Sequence, residues 1–362
     1  MHKSFWSVCS FLVAILFSFF TGFPAARGQS EMGATHGTVK VMTYNINEGS
    51  DFVEVLSATT FPQFVEGVQA TLNQVTASNP PLRMKAVAHQ IGITQPDLVG
   101  MQEVTTWLEG PYYSPTVKYD MLQELMDELA AQGLHYTVVV KIPEFQLAGP
   151  LDLSMANWLF ANDYDVMLAR AGKGDMQVAN VQWAHYNTLL QVPTAAGQVT
   201  IDRGWGSADV TLHGQTFRFI VTHLENYIAQ APLTLLIQEA QARELTDVPA
   251  YVNMPVIIAG DFNADALGND ASIATYHEML SLGFADAWGT LHPKVPGPTW
   301  QLVDSSRVDT AFQRIDYIFF SAGVRPLTSS LAGNDPHDKI GGLWPSDHVG
   351  VRADLQFGHP SQ

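Results

Sequence analysis

The chain has 362 residues, 46% hydrophobic and 10% aromatic, with a formal net charge of −17 at pH 7. The apolar content excludes a disordered chain, and the acidic balance excludes general electrostatic attraction to DNA or anionic lipid. The single cysteine, Cys9, lies in a segment that reads as a leader, so the mature chain gains no disulfide and its core alone must hold it.

Residues 1–28 carry Lys3, an apolar run over residues 11–20, turn-forming residues 21–24 and then Ala26-Arg27-Gly28 ahead of Gln29. That is the pattern of a secretory signal peptide. The apolar run is short for a span, which needs about 20 apolar residues. Cleavage is therefore expected, with a secreted or periplasmic location, and no later segment is apolar enough to cross a bilayer. Cleavage removes Lys3 and Arg27 and no acid, leaving a net charge of about −19. Residues 29–38 form a tail, and residues 39–357 read as one domain without internal repeats or a Pro/Gly/Ser-rich linker.

Residues 39–46 (VKVMTYNI) are strand formers. Residues 53–80 read as irregular, a long loop or insertion. Met84, Val87, Ala88 and Ile91 share one face of a helix over residues 81–91. Residues 97–104 give a short buried strand ending in Gln102-Glu103. Asp120 opens a second helix, with Gln123 placed for a capping box and Gly133 as the stop. Residues 136–142 are a strand, and residues 175–199, with Trp183, His185 and Tyr186, read as a long loop. Residues 217–222 run as a strand into His223. A helix over residues 233–245 is expected to bury Leu233, Leu236, Ile237 and Ala240. Residues 255–259 lead into Gly260-Asp261, residues 314–320 carry Asp316, and a last strand over residues 349–355 follows Asp347-His348. Polar residues thus recur at strand ends, where α/β proteins place chemistry on a rigid support.

Asn45, Glu103, Asp261, Asn263 and Asp347 are oxygen donors at or beside strand ends, which suits a hard cation such as Mg²⁺. The mature chain has no thiolate and no His-x-x-x-His pair to suggest zinc. Asp316, on a neighbouring strand, can orient the imidazole of His348 and support it as a general base. With His223 as a second histidine, the set suits in-line attack of water on phosphorus. Gly260-Asp261-Phe262-Asn263 is the most specific short signal: an apolar strand, a tight turn, then two polar side chains on one side with Phe262 packed behind.

These residues fall in TYNIN (residues 43–47), QEV (102–104), THLE (222–225), GDFNAD (260–265), RIDYIF (314–319) and SDH (346–348). In that order and over that length the chain resembles the endonuclease/exonuclease/phosphatase superfamily, which includes secreted deoxyribonucleases, abasic-site endonucleases, neutral sphingomyelinases and inositol polyphosphate 5-phosphatases. The resemblance implies a four-layer α/β sandwich, two packed mixed β-sheets flanked by helices. It implies a metal site at Asn45 and Glu103, with Glu103 the principal Mg²⁺ ligand and Asp347 nearby, and Mn²⁺ as a substitute. It makes His348 the general base, Asp316 its orienting carboxylate, and Asp261 and Asn263 the residues that orient the nucleophile or leaving group and hold the phosphate. His223 matches a phosphate-contacting or acid histidine. Arg203 resembles a phosphate-binding arginine of the secreted deoxyribonucleases, or else forms a surface salt bridge. The histidine at 223 and the Ala264-Asp265 pair depart from the abasic-site endonucleases and the 5-phosphatases respectively.

The expected activity is phosphodiester hydrolysis, on nucleic acid in the first reading. The alternative is a neutral sphingomyelinase-like lipid phosphodiesterase, with Trp183, Tyr186 and Trp344 as membrane-facing aromatics. The intact set of site residues argues against an inactive binding module. No obligate protein partner is evident.

Overall fold

The computed structural model describes residues 37–172 and 174–358. The expected signal peptide and residues 29–36 of the tail lie outside them. In chain order the first half folds as β1 (Thr38–Asn45), α1 (Val53–Leu56), α2 (Phe61–Ser78), α3 (Pro80–Thr94), β2 (Leu98–Gln102), β3 (Thr106–Gly110), β4 (Thr116–Asp120), α4 (Met121–Ala131), β5 (Tyr136–Pro150) and β6 (Trp158–Arg170). The second half adds β7 (Gln177–His185), β8 (Leu190–Thr194), β9 (Gly197–Ile201), β10 (Gly204–Leu212), β11 (Gln215–His223), α5 (Leu233–Asp247), β12 (Val256–Asp261), α6 (Ile273–Ser281), β13 (Ala285–Asp286), α7 (Ala287–Leu291), β14 (Asp316–Phe320), β15 (Val324–Ala332) and β16 (Gly350–Phe357).

Two mixed sheets face each other. One is ordered β15-β16-β1-β2-β6-β3-β4, with β5 also paired to β6, and the other β13-β14-β12-β11-β10-β7. Each contains one parallel pairing, β1 with β2 and β11 with β12. Val41, Leu98 and Met167 of the first sheet meet Phe219, Val221, Ile257 and Ile318 of the second in one fully apolar layer. Gly100 lets the sheets approach: a Cβ there would meet Val221 Cγ2 at 3.0 Å and Ala259 Cβ at 3.3 Å. On the outer face of the first sheet lie Met84, Val87 and Ile91 of α3 with Leu125 and Leu129 of α4. On the outer face of the second lie Ala242 and Leu245 of α5 with Met279 of α6. The result is the expected four-layer α/β sandwich. Strands such as β2, β12 and β14 are buried throughout, which is why they read as near-continuous apolar runs.

Register sets the site. His223 stands opposite Asp261 across β11 and β12, and Asp261 opposite Asp316 across β12 and β14. Asn45 stands opposite Gln102 at the ends of β1 and β2, so Glu103 leaves that strand end beside it.

Several expectations need correction. Residues 53–80 are mostly helical, not irregular: Thr60 caps α2 in a full capping box with Gln63, and Phe64, Val68 and Val75 bury its face against β5 and Trp107. Residues 175–199 hold the edge strand β7 and the ribbon β8–β9 instead of a loop. At α4 only half of the capping box forms, because the Gln123 amide donates to Asp127 at 2.8 Å while its backbone N–H donates to Asp120. The buried face of α5 is turned: Leu233 and Leu236 are 62% and 61% exposed, and Gln238 and Gln241 are buried instead. Those two side chains hold loop backbone, which hydrophobic patterning does not register. Gln238 donates to the carbonyls of Glu225 and Asn263, both at 2.8 Å, and Gln241 Oε1 accepts from Glu225 N at 2.7 Å.

Candidate active site

A cleft of about 1060 Å³ opens where the central strands of both sheets end. Glu103, Arg203, His223, Asp261, Asn263, Asp347 and His348 all line it. Asn45 lies just beneath, its amide nitrogen donating to Glu103 Oε1 at 2.7 Å and to Asp261 Oδ2 at 3.1 Å. Asp316 stands behind His348, whose Nδ1 is 3.0 Å from Asp316 Oδ2. The sequence-predicted residues therefore converge from seven separate stretches of chain.

The backbone is shaped for this. Glu103 follows β2 at φ 61°, in the left-handed region that a glutamate avoids, a local cost of order 1–3 kcal/mol that surrounding contacts must enforce. Glu103 Oε2 accepts the Glu48 backbone N–H at 3.0 Å. Asn263 also has positive φ, at 50°, which asparagine tolerates. This bend lets Phe262 bury in the outer core while Asn263 returns to the cleft, its N–H donating to Asp261 Oδ1 at 2.8 Å. The Ser346 hydroxyl donates to the Asn45 carbonyl at 2.8 Å and accepts the His348 N–H at 3.1 Å, tying the last motif to the first.

The two histidines differ. Burial alone would disfavour the imidazolium of His348. The charge and hydrogen bond of Asp316, with Asp261 and Asp347 beyond, outweigh this and hold its pKa well above the ordinary imidazole value. His223 is held well below that value by burial and by the neighbouring positive charge of Arg203. Arg203 Nη1 lies 2.7 Å from His223 Nδ1. An arginine has no acceptor, so Nδ1 must accept and the proton of the neutral ring sits on Nε2. That N–H faces Asp261 Oδ2 at 3.4 Å. Asn263 Nδ2, 3.1 Å away, already donates to the Leu224 carbonyl at 3.0 Å. His223 is thus a neutral donor aimed into the cleft. Arg203 is largely buried, and its closest carboxylate, Glu144, is 3.9 Å off, so it is no surface salt bridge.

The acids crowd one another. Burial, then the charge of Asp316, pushes the Asp261 carboxyl up to about 7. Burial, then Glu103, pushes Asp163 up to about 6 and Glu48 well above the carboxylate range. Glu144 and Asp165, buried below Arg203, are raised likewise by burial first. Glu48, Glu144, Asp163 and Asp165 were not anticipated. The signal for the last two is Asn162-Asp163-Tyr164-Asp165, which puts two acids on the inward face of a strand whose next inward residues, Met167 and Ala169, are core. This set of hard oxygen donors, several held above the carboxylate range by burial first and by neighbouring acids second, suits a divalent cation, and Glu103, Asn45 and Asp347 at the cleft could hold one. A second grouping, Asp261, Asp316 and His348, brings one ligand atom each within 4.8 Å of one another and is also a candidate metal-binding group. There, however, His348 Nδ1 is committed to Asp316.

The model of the Endonuclease/Exonuclease/phosphatase family matches residues 42–348, most of the chain. The chain belongs to this family. It is accordingly a metal-dependent phosphoesterase. The fold is similar to that of a family protein from Leptotrichia buccalis, at TM-score 0.55 and 17% identity, covering 88% of this chain and 100% of that one. It is similar to the family protein from Beutenbergia cavernae, at TM-score 0.55 and 18% identity over 89% of this chain and 72% of that one. It also resembles D. rerio TDP2 complexed with a single-strand DNA product, at TM-score 0.53 and 18% identity over 88% and 98% of the two chains. A search of curated proteins finds no match to the sequence.

Proposed function

We propose that the protein is an exported, Mg²⁺-dependent phosphodiester hydrolase in which water attacks phosphorus in line. The observation that carries this reading is the buried Asp316–His348 pair, at 3.0 Å, in the same cleft as the Asn45–Glu103 pair, at 2.7 Å. Export is supported by the leader pattern of residues 1–28. Among the described residues no helix is long and apolar enough to cross a membrane.

Glu103, Asn45 and Asp347 would hold Mg²⁺, or Mn²⁺ in its place, which when bound would supply positive charge to the phosphate. His348 donates from Nδ1 to Asp316, which leaves Nε2 to take the proton of the attacking water. Asp316 fixes that tautomer and stabilises the imidazolium. Asp261, hydrogen-bonded to Asn45 and to the Asn263 backbone, holds the water or leaving group on the line of attack. His223 donates from Nε2 to a phosphate or leaving oxygen, kept in that tautomer by Arg203, which also lines the cleft.

For substrate, the nucleic-acid reading is supported by the DNA product held by D. rerio TDP2. The cleft limits how such a strand is held. Its lining guanidinium groups are Arg83 and Arg203, and Arg83 is paired with Asp304 at 3.3 Å. Among the described residues no run of cations tracks a backbone there, so a polyanion is gripped at the reacting phosphate alone. For membrane insertion, Tyr186 and Trp344 are buried, and Trp183 stays 48% exposed, on the edge strand β7.

Exhaustive EDTA treatment and dialysis are expected to abolish hydrolysis of a chromogenic phosphodiester, and Mg²⁺ or Mn²⁺ to restore it. Ca²⁺, larger and less strict in geometry, should support turnover less well. Full activity in the stripped protein would overturn the metal requirement.

A further inference from the structure

The two segments that sequence patterning leaves as loops build one apolar wall of the cleft. Phe52, Val53 and Leu56 come from the start of the insertion, and Leu190, Val192 and Ile201 from the ribbon β8–β9. In the ribbon Leu190 pairs with Ile201 and Val192 with Val199, so one face carries apolar side chains while Gln191 and Gln198 point away. Neither segment belongs to the two main sheets. The wall is continuous with the reaction site: the Glu48 backbone N–H donates to Glu103 Oε2 at 3.0 Å, and the Glu48 carbonyl accepts from Trp107 Nε1 at 3.0 Å. Phe52 packs on that same Trp107, ring centroids 5.9 Å apart. Val53 remains 58% exposed, so the wall keeps unburied apolar surface facing the cleft.

Resting on the reading of this site as a phosphodiesterase, we propose that the wall is a subsite for an apolar group, alkyl or aryl, esterified to the reacting phosphate. The chemistry follows from what lines the cleft. The phosphate is met by the catalytic groups at one end. Next to it the ester group finds apolar side chains, and among the described residues the one other lining cation, Arg83, is paired with Asp304. The substrate class is therefore a single phosphodiester with an apolar ester group, in preference to a strand held by several phosphates.

The test is a series of 4-nitrophenyl phosphodiesters whose second group is methyl, butyl, hexyl, benzyl or thymidin-5′-yl, assayed with Mg²⁺. Complete burial of one methylene is worth roughly a fourfold change, and half burial about twofold. The ratio of kcat/KM for hexyl over methyl is then expected to be at least about 30. Benzyl above hexyl assigns an aryl group, and hexyl above benzyl an alkyl chain. Val53→Asp and Val192→Asp should each lower the hexyl-to-methyl ratio at least about fivefold, by putting a charge where the chain lies. The ratio is internal to each variant, so a change in the amount of folded protein does not mimic the effect, and Val53 is exposed enough to tolerate substitution. A flat series in the parent protein overturns the subsite, as does a thymidine ester turned over faster than both apolar esters. A rising series unchanged by both substitutions overturns its placement. Failure to hydrolyse any member with any divalent cation is a different result, and it counts against the phosphodiesterase reading itself.

Discussion

His348→Ala is expected to lower kcat by roughly 10²–10⁴-fold, the range for a positioned general base, with the fold retained. The side chain is buried beside Asp316, and its backbone anchor, the N–H to Ser346 Oγ at 3.1 Å, survives the change. What is lost is the ring that holds Nδ1 against Asp316 and leaves Nε2 for the attacking water. The pH dependence gives a sharper reading. A base must be neutral to act, and the charge of Asp316 outweighs burial to hold His348 well above its ordinary value of 6.5. kcat/KM should therefore rise with pH, with the midpoint of its acid limb above 6.5. Asp316→Asn removes the negative charge that favours the imidazolium, so the limb should move to lower pH while kcat falls. Circular dichroism establishes that each variant folds. A folded His348→Ala variant with near-parent kcat, or an acid limb that Asp316→Asn leaves in place, contradicts the assignment.

The second large effect is expected at the metal. Loss of an outer partner of a metal ligand already costs roughly 10–100-fold in affinity or activity. Glu103→Gln removes a direct carboxylate in this account and should cost at least that. The isosteric side chain keeps the shape of the turn but turns one of two accepted hydrogen bonds, from Asn45 at 2.7 Å or from Glu48 N at 3.0 Å, into a donor facing a donor. The Mg²⁺ concentration for half-maximal rate should rise on the order of 100-fold, and calorimetric titration of Mg²⁺ should weaken in parallel. An unchanged Mg²⁺ dependence would remove Glu103 from the ligand set and direct attention to Asp261, Asp316 and His348, the other candidate group.

The parts of this fold that are legible in sequence share a cause. Strands buried on both faces read as apolar runs, and a polar residue at their end stands out, as at Glu103, His223 and Asp261. The helix face of α3 was legible because Met84, Val87, Ala88 and Ile91 are all apolar. The same logic failed at α5, where burial goes to Gln238 and Gln241 because loop carbonyls and an N–H need partners. In α2 the helix signal was present, with Thr60 and Gln63 as a box and Phe64, Val68 and Val75 as a stripe, but Gly67 and Thr71 dilute it. The ribbon β8–β9 pairs only with itself, and Pro193 within it argues against a strand unless that strand is an edge. At the site, the motif residues were legible and their supports were not. Glu48, Glu144, Asp163 and Asp165 carry no motif, and their effect arises only when the fold stacks them around Glu103 and Arg203. Arg203 could be read as a surface or a phosphate residue from sequence. Its place against His223 Nδ1 depends on β10 and β11 lying side by side.

The most direct test of the account is hydrolysis of methyl 4-nitrophenyl phosphate in ¹⁸O-labelled water by the metal-stripped protein, with and without added Mg²⁺. The account predicts release of 4-nitrophenolate only with the metal present, and one ¹⁸O atom in the methyl phosphate formed, since water attacks phosphorus. Release without metal, no release at any Mg²⁺ or Mn²⁺ concentration, or label in the nitrophenol instead of the phosphate would contradict it.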